Sequence, residues 1–68
     1  MERPETYAKA IKAALAYSGQ SRGELARRMG IHYETLGRKL RSPETFTLGE
    51  LTKADRILRF TQFIGDSK

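Results

Sequence analysis

The sequence predicts an all-α fold, a compact domain of four to five short helices. Three observations carry that expectation. Ser21 with Glu24, and Thr47 with Glu50, have the spacing of capping boxes, in which a hydroxyl and a glutamate each accept from the other residue's backbone N–H. Gly19 and Gly30 stand where apolar patterns break off, and glycine takes the left-handed conformation that closes a helix without steric penalty. Between those marks apolar residues recur three and four positions apart, as one face of a helix requires.

Each element follows in order. The first helix should start between Pro4 and Thr6, because proline suits a first helical turn, and run to about Ser18. Tyr7, Ile11, Ala14, Leu15 and Ser18 would share its inner face, with Lys9 and Lys12 elsewhere and Tyr17 read as a packing residue. A second helix over about 22–29 presents Leu25, Ala26 and Met29, and a third over about 33–41 presents Leu36 and Leu40. Ser42-Pro43 ends the third, since the residue before proline is pushed out of the helical region. The fourth starts after Thr47, with Phe46, a core residue, stapled onto Leu51; its apolar face is Leu48, Leu51, Ala54, Ile57 and Leu58. Phe60 to Ile64 fit either a short fifth helix or an extended arm, ahead of a polar end over 65–68.

Composition limits the functional classes. Sixty-eight residues make one small domain, which buries only about 60% of the surface its unfolded chain exposes. With no cysteine and one histidine, neither a disulfide nor a metal site is expected, and no cofactor is implied. No apolar run reaches the roughly 18 residues of a membrane span, and the N-terminus lacks a signal-peptide core. A soluble cytoplasmic chain with no membrane partner and no evident small-molecule ligand is expected. The absence of a nucleophile–base pair, a carboxylate pair or a phosphate loop argues against an enzyme, so no catalytic residue is assigned. The net charge of +5 suits a polyanionic partner. Arg22, Arg27, Arg28, Arg38, Lys39 and Arg41 face only Glu24 and Glu34 over 22–41, so most of that charge sits on the second and third helices.

A helix, a short glycine-bearing turn and a second helix is the outline of a helix-turn-helix, here over about 21–41. Through Ser21, Leu25, Ala26, Met29, Gly30, Ile31, Thr35 and Leu36, residues 21–42 resemble the helix-turn-helix of phage Cro and repressor proteins. Arg22, His32 and Gly37 depart from that pattern, in place of a glutamine, a serine and a polar residue. With its flanking helices the resemblance spans about 6–60 and implies a lambda-repressor-like fold. It further implies a sequence-specific transcriptional regulator, a repressor of phage or bacterial type, bound to double-stranded operator DNA.

Such a motif lays its second helix in the major groove with the N-terminal residues toward base edges. With Leu36 and Leu40 turned inward, Tyr33, Glu34, Gly37 and Arg38 face bases, while Lys39 and Arg41 approach the backbone. Arginine reads guanine bidentately and glutamate accepts from the cytosine amino group. The bland reading of Glu34 and Arg38 is a surface ion pair worth a few tenths of a kcal/mol. Tyr33 suits either a base contact or a half-tucked position against Leu36 and Leu40. Gly37 costs about 1 kcal/mol against alanine, accounted for either by clearance for the groove or by close passage of another helix or a dimer partner. Ser21 and Arg22 correspond in the resemblance to residues that grip a phosphate; His32 and Thr35 join them as backbone contacts, while Arg27 and Arg28 fit a solvated face.

Phe60, Phe63 and Ile64 either fold over the chain's own core or form a self-complementary patch, the interface of a homodimer within 60–68. The dimer is favoured, because two half-sites about 34–36 Å apart require two recognition helices. Two rival functions fit the same residues: the antitoxin of a toxin–antitoxin pair, and a basic protein-interaction module.

Overall fold

The computed structural model describes residues 3–64, and every regular element among them is helical. Helix α1 spans Pro4–Ser18, with Pro4 in the first turn where its missing N–H has no partner to lose. Gly19 closes it at φ 74° and donates to the Leu15 carbonyl. Helix α2, Arg22–Met29, opens on the expected capping box: Glu24 N donates to Ser21 Oγ at 3.1 Å and Ser21 N to Glu24 Oε1 at 3.3 Å. Gly30, at φ 78°, donates to Arg27 O, and Ile31 N donates to Ala26 O at 3.0 Å. Those two bonds form a Schellman closure, which turns the chain sharply into the next helix.

Helix α3, Tyr33–Arg41, follows within three residues and stops at Ser42-Pro43. A 3₁₀ turn over Pro43–Thr45 then leads to α4, Leu48–Leu58, whose capping box pairs Thr47 with Glu50. Arg59 ends α4 in the left-handed region at φ 54°, a conformation that a side chain enters only when its surroundings demand it. Asp55 helps to fix that reversal, since its Oδ1 accepts from both Thr61 N at 3.1 Å and Thr61 Oγ1 at 3.0 Å. The chain therefore resolves the choice between helix and arm as a second 3₁₀ turn, Phe60–Phe63. Residues 65–68 lie outside the described residues, so the expected polar end is not placed.

The core joins Ile11, Ala14 and Leu15 of α1, Leu25, Ala26 and Met29 of α2, Leu36 and Leu40 of α3, and Ala54 and Leu58 of α4. No buried polar side chain interrupts it among the described residues. Phe60 enters this core at 1% exposure, edge-on to Tyr7 with ring centres 6.2 Å apart, so the expectation of Phe60 at a subunit interface gives way to one inside the chain. Phe63 and Ile64 are half-buried and pack against the same core.

Four other expectations about packing change. Tyr17 is 81% exposed and Leu48 80% exposed, and Ser18 also faces solvent, whereas Ala8 and Ala10 are buried. The inner face of α1 is therefore turned toward its alanines, whose small side chains let the Phe60–Phe63 turn and α4 lie close to it. Leu48 is the first residue of α4 and precedes the turn that meets the core. Phe46 is half-buried against the core rather than within it.

Candidate nucleic-acid interface

Leu36 and Leu40, at 0% and 4% exposure, fix the rotation of α3 about its axis. At about 100° per residue, that rotation puts Glu34, Arg38 and Arg41 on the outer side, and all three are exposed. Tyr33 is 55% exposed, with its ring beside Arg22 and Gly23. Arg22, Tyr33, Glu34, Gly37, Arg38 and Arg41 line one open cleft of about 340 Å³. The four residues expected to face bases thus meet around one concavity with Arg22 and Arg41. A larger cleft, about 640 Å³, lies between Met29 and the start of α4, away from the outer face of α3.

The electrostatics of the face follow from what is left unpaired. The one ion pair among the described residues joins Lys39 Nζ to Glu50 Oε1 at 3.1 Å. Glu34 and Arg38 therefore form no surface bridge, and the guanidinium groups of Arg22, Arg38 and Arg41 have no carboxylate partner among the described residues. Arg22 sets its guanidinium carbon 5.9 Å from the centre of the Tyr33 ring. That stack ties the first residue of α2 to the first residue of α3. Gly37 leaves open space: a Cβ built there would meet only Arg41 Nη1, at 3.7 Å. Among the described residues no other helix passes close to it.

Lys39 is engaged elsewhere. Its ammonium donates to Thr45 O at 3.0 Å, pairs with Glu50 and lies 5.9 Å from the centre of the Phe46 ring, with its side chain only 16% exposed. Lys39, expected at a phosphate, thus ties α3 to the start of α4. The backbone N–H of Thr47, and secondarily Lys39, hold the Glu50 carboxyl below the usual carboxylate range against the opposing push of burial.

The remaining residues surround the cleft. Ser21 is exposed with its oxygen already accepting from Glu24 N, which leaves its hydroxyl proton for another acceptor. His32 is exposed at the N-cap of α3 with no side-chain cap bond, and Thr35 is half-buried. Arg28 reaches Gln20 Oε1 at 3.5 Å and, with Arg27, lies on the exposed side of α2. Two features escaped the sequence: the Arg22–Tyr33 stack and the Lys39–Glu50 tie. Both join residues eleven positions apart on different helices, for which spacing within one helix gives no signal.

This three-helix stretch matches a known family. The family model of the bacterial regulatory proteins, Fis family, matches residues 4–42, which cover α1, α2 and α3. No curated protein and no solved structure matches the chain. The matched residues form a helix-turn-helix DNA-binding domain.

Proposed function

The chain belongs to the Fis family of bacterial regulatory proteins, and from that premise we propose that it is a sequence-specific transcriptional repressor acting as a homodimer on double-stranded operator DNA. The observation that carries this reading is the cleft on α3, where Tyr33, Glu34, Gly37 and Arg38 converge with the unpaired Arg22 and Arg41. Arg38 is suited to guanine. Glu34 lies amid cations but would repel phosphates, so in the groove it is tolerated where a cytosine amino group donates to it. Ser21, Arg22, His32, Thr35 and Arg41 border this face and fix its register on the backbone. The Cro-like spacing of 21–42 supports a repressor of phage or bacterial type.

The dimer rests on the half-buried Phe63 and Ile64 and on Tyr17, whose ring meets Phe63 edge-on at 5.8 Å while remaining 81% exposed. Selection of the intact protein against random-sequence duplexes tests the function. Enrichment of a two-fold symmetric site is expected. Recovery of random duplexes would leave only a basic surface and would overturn the regulator reading.

A further inference from the structure

We infer that the cleft between Tyr33 and Gly37 is a seat for the C5-methyl group of a thymine, so that each half-site is specified partly by an apolar contact. The inference rests on the DNA-binding reading above. Helix side chains lean toward the helix N-terminus. Tyr33, first in α3, accordingly leans over the start of α2, where Arg22 lies against its ring at 5.9 Å. The ring lies beside Gly23, where a Cβ would stand in ordinary contact, 3.8 Å from Tyr33 Cδ1. One turn further along α3, a side chain at position 37 would cover the strip behind the ring. Gly37 supplies none, and the nearest packed group is Arg41 Nη1 at 3.7 Å from the missing Cβ. The strip is left as bare backbone with an aromatic wall, within a cleft whose other lining residues are charged.

The chemistry of that seat selects its occupant. Arg22 already covers the Tyr33 ring, so the ring is poorly placed to stack on an extruded base and meets paired bases by their edges. Thymine is the base whose major-groove edge carries an apolar group. A methyl lying against the carbon face of the ring and the Gly37 backbone leaves no polar atom unpaired, while a base amino group in the cleft is met by Glu34 rather than by that strip. Arg38, next on the helix, then reads a neighbouring base pair. Tyr33 and Gly37 thus determine specificity by shape, beside charged residues that do so by hydrogen bonds.

Replacement of each operator thymine by deoxyuridine tests the seat, because the exchange removes one methyl and nothing else. At one position per half-site, affinity should fall about fourfold, the effect of exposing one methyl group. The preference for thymine should disappear in Tyr33→Ala. It should shrink in Gly37→Ala, which puts the protein's own methyl into the space; circular dichroism confirms that both variants are helical. An operator bound equally well with every thymine replaced would overturn the inference, as would a thymine preference unchanged in both variants. Either result leaves operator binding itself intact, which distinguishes it from failure of the DNA-binding reading, where no duplex is preferred at all.

Discussion

Phe60→Ala is the sharpest probe of how this small domain holds together. Phe60 is 1% exposed, meets Tyr7 edge-on and joins the Phe60–Phe63 turn to α1. Truncating a buried phenylalanine costs about 3–5 kcal/mol, the lost transfer energy plus the cavity left behind. A domain of this length has roughly 3–10 kcal/mol of total stability. The substitution should therefore consume a third of the stability at the least and all of it at the worst. At about 4–8 °C per kcal/mol, Tm should fall by at least about 12 °C. Thermal melts followed by circular dichroism at 222 nm read the change. A Tm within about 4 °C of the parent would refute the placement of Phe60 in the core and return it to the surface.

Three further perturbations separate roles that the sequence left together. Phe63→Asp puts a charge into a half-buried apolar contact beside Tyr17; helix content should hold while light scattering reports a monomer, and an undiminished dimer would place the interface elsewhere. Lys39→Ala removes the bonds to Glu50 and Thr45 and should lower stability by about 1 kcal/mol. The salt dependence of DNA binding should not move with it, as it would if Lys39 met a phosphate. Glu50 has a folded-state pKa below its unfolded value, so its contribution is present above the unfolded pKa and is lost as pH falls through the folded one. Glu50→Gln should accordingly flatten the acid side of the stability profile, measured by chemical denaturation between neutral and acidic pH, and an unchanged acid slope would count against the bond from Thr47 N.

The helices were legible in the sequence where local chemistry decides them. The Ser21–Glu24 and Thr47–Glu50 boxes, the glycines at 19 and 30 and the break at Pro43 placed α1 to α4 because caps and stops act within a turn of themselves. The burial of Tyr17, Leu48 and Phe60 was misjudged for a different reason. Apolar character alone does not say which neighbour arrives, and the left-handed Arg59 that carries Phe60 back onto α1 has no glycine to announce it. On the interface, the outward face of α3 was readable because Leu36 and Leu40 fix the rotation of the helix. Lys39 lies on the flank of that face, within reach of both a phosphate and Glu50. Its tie to Glu50 comes only with the arrival of α4 beside it.

If α3 reads bases while the start of α2 grips the backbone, paired affinities separate the two roles. Operator and scrambled duplexes are titrated with the parent protein, Arg38→Ala and Arg22→Ala over a range of salt. Arg38→Ala should lose about 1–3 kcal/mol on the operator and little on the scrambled duplex. Arg22→Ala should weaken both and reduce the slope of log K against log salt by about 0.9 per subunit. Equal losses on both duplexes for Arg38→Ala would rule out base reading by Arg38.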